Sequence, residues 1–150
     1  MKMAYSIEEL KEYLKRYNIK PSTIRLKILG FLLENRVHPT ADDIYRYLID
    51  SIPTLSRTSV YNALELFTDK GVIKPVSLNE KELRYDIKTD FHGHFKCEIC
   101  GNIYDFPIQN QVCAEDFLEG FTIKDMHINY YGICKKCNQK IKSNKNKEEY

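Results

Sequence analysis

The sequence predicts an α+β protein in two parts, a winged helix-turn-helix followed by a small α+β unit, and three observations predict it. Four segments with helical periodicity, each opened by a cap or a proline, fill most of residues 6–70. Two strand-like runs around a polar turn follow Gly71. Beyond Asp86 the composition shifts toward Cys, His and aromatic residues, including two Cys-x-x-Cys pairs. The expected division is therefore 1–85 and 86–150.

Ser6 and Glu9 form a capping box, and Leu10, Tyr13, Leu14 and Tyr17 follow at helical spacing, so a first helix runs to about Asn18. Pro21 starts the second, whose Ile24, Ile28, Leu29, Phe31 and Leu32 demand burial and which ends before the His38-Pro39 break. Thr40 caps a third over 41–50, with Ile44, Tyr47 and Leu48 inward. The turn at 51–54 leads into a fourth over 57–70, stopped by Gly71. The runs 72–78 and 83–87, around a turn at 79–81, complete the wing. A generic helical domain with a hairpin is the alternative.

In the second part, 94–97 and 103–106 read as strands flanking the first cysteine knuckle, 111–119 as a helix, and 122–132 as a strand entering the second knuckle. The last ten residues are charged and lack an apolar period, so a frayed tail is expected there.

Each part of a 150-residue chain buries only a modest core, so metal crosslinks or association would add stability. The net charge is +2, with a mild basic excess in residues 1–84, which permits nucleic-acid binding without demanding it. No apolar segment is long enough to span a bilayer and no apolar leader is present, so a soluble, cytoplasmic protein with no membrane role is expected. That compartment favours reduced cysteines over disulfides.

Cys97, Cys100, Cys134 and Cys137 can enclose Zn²⁺ tetrahedrally, because each two-residue spacer turns both sulfurs toward one ion. Four protein ligands leave no open position, so such a zinc is structural. A redox dithiol is the competing reading. His92 and His94 alternate on an extended segment and project on one face, where Asp86, Asp90 or Asp105 could complete a second, sulfur-free site. Cys113 falls in the 111–119 helix and reads as a small, partly buried residue, with no cationic neighbour to activate it. His127, in the 122–132 strand, reads as structural or exposed.

On the fourth helix Val60, Ala63, Leu64 and Phe67 form the inward stripe, leaving Thr58, Tyr61, Asn62 and Glu65 outward. Tyr61 and Asn62 are placed to enter a major groove, while Arg57, Arg25, Lys81 and Arg84 could hold the phosphate backbone. Taken one at a time, each reads more readily as an ordinary surface residue than as a contact.

These blocks, in order and spacing, resemble the ferric uptake regulator (Fur) superfamily along nearly the whole chain: Val37-His-Pro-Thr-Ala-Asp-Asp-Ile-Tyr45, Ser59-Val-Tyr-Asn62, Arg84-Tyr-Asp86, His92-x-His94-x-x-Cys97-x-x-Cys100-Gly101 and Tyr131-Gly-x-Cys134-x-x-Cys137. Within it the chain looks most like the peroxide-responsive branch, PerR. The resemblance implies a regulatory Fe²⁺ or Mn²⁺ held by His38, Asp86, His92, His94 and Asp105, alongside the structural zinc. Asp105 is the discriminating residue, since iron-sensing relatives typically carry Glu there. Phe91 and Gly93 stand where such relatives often carry further ligands, and Arg57 departs from the small or apolar residue common in the family.

The expectation is therefore a homodimeric repressor that binds a double-stranded DNA operator and is no enzyme. Its N-terminal part binds DNA and its C-terminal part dimerises. Peroxide reacts with the bound iron, His38 or His92 is oxidised, and a metal that holds the two parts at one angle is lost. Three alternatives stay open: an iron, manganese or zinc uptake regulator with reversible metal sensing, a non-haem iron enzyme, and a zinc-stapled interaction module.

Overall fold

The computed structural model describes residues 5–88, 90–109 and 117–145. The chain divides into two compact units, Met1–Thr89 and Asp90–Tyr150. The predicted helix at 111–119 lies mostly outside the described residues, as does Cys113; its last residues, 117–119, belong to a turn.

Among its described residues the first unit has four helices and a hairpin. Helix α1 (Ile7–Arg16) opens on the Ser6/Glu9 capping box, in which the Glu9 N–H donates to Ser6 Oγ at 3.2 Å and the carboxylate returns to the Ser6 N–H at 2.7 Å. Helix α2 (Thr23–Glu34) is capped by Ser22 and buries five consecutive residues, Ile28 to Leu32, so it is covered on all sides and forms the centre of the core. Helix α3 (Ala41–Leu48) starts on a second capping box, Thr40 with Asp43, and α4 (Arg57–Asp69) starts on Ser56. Val60, Ala63, Leu64 and Phe67 of α4 pack inward; Phe67 is fully buried, and its truncation to Ala would cost about 3–5 kcal/mol.

Gly71, at φ +74°, turns the chain out of α4, a conformation that glycine adopts without steric cost. Strands β1 (Lys74–Val76) and β2 (Arg84–Asp86) then pair antiparallel, Pro75 opposite Tyr85. The segment before α3 joins β2 from its other side: Thr40 bridges Arg84, and the Tyr85 N–H donates to the Pro39 carbonyl at 2.9 Å. This stitch carries His38 to β2.

In the second unit β3 (His92–Cys97) is the central strand, antiparallel to β4 (Ile103–Pro107) and parallel to β5 (Asn129–Gly132). The expected strand over 122–132 is realised only at 129–132. Residues 121–128 have no regular structure, since alternation alone does not make a strand without a partner edge. Helix α5 (Lys135–Lys145) corrects the expected frayed tail, whose first five residues are helical. Cys134 precedes α5 and Cys137 sits in its first turn. Once a first turn is anchored, polar residues propagate a helix at little cost.

The two units are built differently inside. Among the described residues, nineteen form the buried apolar cluster of the first; in the second the buried cluster is Cys97, Cys134 and Cys137, with Phe95 packed against it. Sulfur takes the place of an aliphatic core.

Candidate metal centres

The four sulfurs meet because β5 runs parallel to β3 with Gly132 opposite Cys97, which brings the second knuckle alongside the first. Gly101, at φ +72°, closes the first knuckle and donates its N–H to the Cys97 carbonyl at 2.9 Å. The four Sγ atoms lie within 4.8 Å of one another, with Cys100 and Cys134 at 3.9 Å. A tetrahedral zinc with Zn–S bonds of about 2.3 Å needs sulfurs about 3.8 Å apart, so the cage has the right size.

Its electrostatics point the same way. The Cys100 and Cys134 peptide N–H groups hold the Cys97 thiol down to about 6, the latter at 3.3 Å from Sγ. The Cys137 N–H lowers Cys134, while burial pushes Cys137 up to about 12. N–H groups aimed at Cys97 and Cys134 favour their thiolates, whereas the buried Cys137 would need a cation beside it to ionise. The arrangement is consistent with a structural zinc.

The sulfur-free residues form a pair in the first unit and a trio in the second. In the first, His38 Nε2 lies 3.4 Å from Asp86 Oδ2, both side chains buried. Alternation on β2 turns Tyr85 into the core and leaves Arg84 and Asp86 toward His38. His38 sits at φ +51°, a left-handed conformation costly for a residue with a Cβ. It is held there by the Arg84 guanidinium, which donates to the His38 carbonyl at 3.0 Å while Glu80 grips its other edge. Asp86 Oδ1 accepts the Lys88 N–H at 2.8 Å, which leaves Oδ2 facing the imidazole.

In the trio, His92 and His94 share one face of β3, and Asp105 stands opposite His94 on β4. The two Nε2 atoms are 3.1 Å apart, and Asp105 Oδ1 lies 3.6 and 3.7 Å from them. His92 Nδ1 is 2.7 Å from the Asp90 carbonyl. A carbonyl only accepts, so Nδ1 carries the proton and the Nε2 lone pair faces His94 and Asp105. Converging imidazole nitrogens and a carboxylate oxygen, with no sulfur, suit Fe²⁺ or Mn²⁺ better than a thiophilic ion. Asp90, a candidate for its carboxylate, enters through its backbone instead.

The nucleic-acid candidates lie in the first unit. Thr58, Tyr61 and Asn62 are exposed on α4. Arg25 is half-buried and donates to the Lys20 carbonyl at 2.7 Å. Lys81 is exposed, but Arg84, expected on the phosphate backbone, is turned inward onto Glu80 and His38. Arg57 engages Asp42, a partner sequence reasoning missed because it lies 15 residues away. His127, expected on a strand, lies in the irregular segment and pairs with Asp125 at 2.9 Å.

Comparison with known proteins gives consistent results. A profile of the Ferric uptake regulator family matches residues 16–131. The chain is 34% identical over 140 residues to the peroxide operon regulator of Bacillus subtilis, across 91% of this chain and 97% of that one. It is 33% identical over 139 residues to the peroxide-responsive repressor PerR of Staphylococcus aureus (strain Mu50), across 91% and 94%. Among solved structures it is similar to the Helicobacter pylori ferric uptake regulator Fur, with a TM-score of 0.70 at 20% identity, over 92% of this chain and 97% of that one, a likeness of fold.

Proposed function

This chain belongs to the ferric uptake regulator family, and from that premise we propose that it is a homodimeric repressor that releases double-stranded operator DNA when hydrogen peroxide oxidises one of its own histidines. Family membership makes it a metal-dependent transcriptional regulator and not an enzyme. The finer reading is carried by the trio of His92, His94 and Asp105, whose sulfur-free donors converge with the His92 lone pair directed inward. It is supported by two relatives, 34% and 33% identical, one named a peroxide operon regulator and the other a peroxide-responsive repressor.

In this reading His38, Asp86, His92, His94 and Asp105 serve one regulatory ion, and Cys97, Cys100, Cys134 and Cys137 hold a structural zinc. Bound Fe²⁺ supplies the one-electron chemistry that turns peroxide into an oxidant beside a ligand imidazole, and Mn²⁺ does so far less readily. His38 or His92 then gains one oxygen atom and is a poorer donor. Metal shifts the DNA equilibrium only by its differential affinity for the DNA-binding conformation, so DNA must tighten metal binding by the same factor. On α4, Thr58, Tyr61 and Asn62 face the major groove, with Arg57 and Arg25 toward the backbone. A homodimer reads two half-sites, and the second unit exposes Phe121, Ile123 and Tyr130 as apolar surface for a second copy.

The test is brief peroxide treatment of the Fe²⁺-loaded and Mn²⁺-loaded proteins, followed by peptide mass spectrometry. One added oxygen on the peptides containing His38 or His92, in the iron form and far less in the manganese form, is expected. Unmodified peptides in both forms would return the chain to reversible metal sensing, as in an uptake regulator.

A further inference from the structure

Asp42, in the first turn of α3, binds two arginines at once. Its Oδ1 accepts from Arg57 Nε at 3.1 Å and Nη2 at 2.8 Å, and its Oδ2 lies 2.7 Å from Arg46 Nε, one helical turn along. The Arg57 guanidinium carbon also lies 4.3 Å from the centre of the Tyr45 ring. Asp42 is 22% exposed, whereas Arg46 and Arg57 are 74% and 58% exposed. Two cations on one anion leave a net positive charge, and it is presented to solvent.

Stability gives little reason for this arrangement, since exposed ion pairs contribute at most about 1 kcal/mol. What it does achieve is order: a carboxylate edge and an aromatic face fix the plane of Arg57, removing the rotamer freedom that binding would otherwise have to quench. Arg57 uses its Nε and Nη2 edge on Asp42, so Nη1 is outside that contact, and both Nη atoms of Arg46 are outside its Nε contact. Donors so arranged match the oxygens of a phosphate. Arg57 is also the first residue of α4, one turn before the exposed Tyr61, and positions i and i+4 share a helix face.

We propose that Asp42 gathers Arg46 and Arg57 into a two-guanidinium fork that grips a backbone phosphate of double-stranded DNA and sets the register of α4 on the duplex. The proposal rests on the DNA-binding reading above and deepens it: Arg57 positions the helix and Tyr61 and Asn62 read the groove. Asp42 acts through the arginines and is a positioning residue.

The experiment measures affinity against salt for the full-length Mn²⁺-loaded protein, on duplexes it selects from a random pool and on a mixed-sequence duplex of equal length. Arg57→Ala is expected to weaken both about fivefold and to lower the slope of log K against log salt by about 0.9, one phosphate contact. Arg57→Lys keeps the charge and should retain most of the slope on the mixed-sequence duplex while losing affinity for the selected one. Asp42→Asn separates the ideas most sharply. Deleting a negative charge beside DNA should tighten binding if Asp42 merely competes with phosphate, whereas loss of the fork should weaken the selected duplex several-fold without weakening the mixed one. Asp42→Glu, which keeps the charge but displaces the guanidiniums, serves if Asp42→Asn melts early. Tighter binding of both duplexes by Asp42→Asn, or an unchanged salt slope in Arg57→Ala, overturns the fork. A wild-type protein that selects no duplex, or a Tyr61→Ala/Asn62→Ala variant that binds as wild type does, overturns the DNA reading itself.

Discussion

One strand, β3, begins with His92 and ends with Cys97, and its two ends are built on opposite principles. At the cysteine end four like ligands enclose a cage, backbone N–H groups stabilise thiolates, and sulfur replaces the aliphatic core of the unit. At the histidine end the donors are mixed nitrogen and oxygen; each site has one exposed member, Asp105 here and Cys100 there, so donor type rather than exposure separates them. A saturated soft site resists exchange and suits structure, whereas a hard site of mixed donors suits exchange and reaction. The difference teaches that the denser motif is the scaffold and the sparser one the candidate sensor.

The largest expected effect follows from the cysteine end. Structural zinc contributes on the order of 10 kcal/mol to folding, and among the described residues of the second unit the cysteines form the buried apolar cluster. Cys134→Ser should therefore release the zinc and expose the backbone amides of 90–109 and 117–145 to hydrogen exchange, while those of 5–88 stay protected. Persisting protection in the second unit would show that the sulfurs are not its core.

At the histidine end the same kind of change should leave the fold intact. His94→Ala removes one of two imidazoles 3.1 Å apart, and Mn²⁺ affinity by calorimetry should fall about 100-fold or more. Zinc content and the melting of the protein without regulatory metal should scarcely change. Loss of zinc in this variant would erase the distinction between the two ends.

Much of this was legible because it is local. The capping box at Ser6, the cap at Thr40 and the stop at Gly71 depend on a few neighbouring residues, and the two-residue cysteine spacers carry their geometry with them. What was illegible depends on tertiary partners. Arg84 looks like a wing cation until Glu80 and the His38 carbonyl turn it inward. Residues 122–128 alternate well enough for a strand, but the ladder with β3 reaches only 129–132. The helix at 135–145 has no apolar period and follows from its anchor at Cys134 and Cys137. Asp90 acts through a carbonyl that any residue would supply.

The smallest expected effect tests whether the two ends of β3 can be moved separately. A Cβ built on Gly93 would come within 2.2 Å of the Phe106 ring, which lies across β3 to stack on Tyr130 of β5 with centroids 5.1 Å apart. The ring fills the place of the missing side chain between His92 and His94, so Gly93→Ala must displace Phe106 or bend the strand. Overpacking of this kind costs about 1–3 kcal/mol. In a Phe106→Ala background the three atoms nearest the added Cβ are gone, and the same change should be neutral or stabilising by up to about 1 kcal/mol, because Ala restricts the unfolded chain more than Gly does. The cycle of four proteins, read by thermal melting, should thus show strong coupling. Zinc content should hold throughout while Mn²⁺ affinity falls in Gly93→Ala alone and recovers in the double variant. If the single change costs nothing, the ring is not what holds the two histidines in place; if zinc is lost with it, the strand transmits strain from one site to the other.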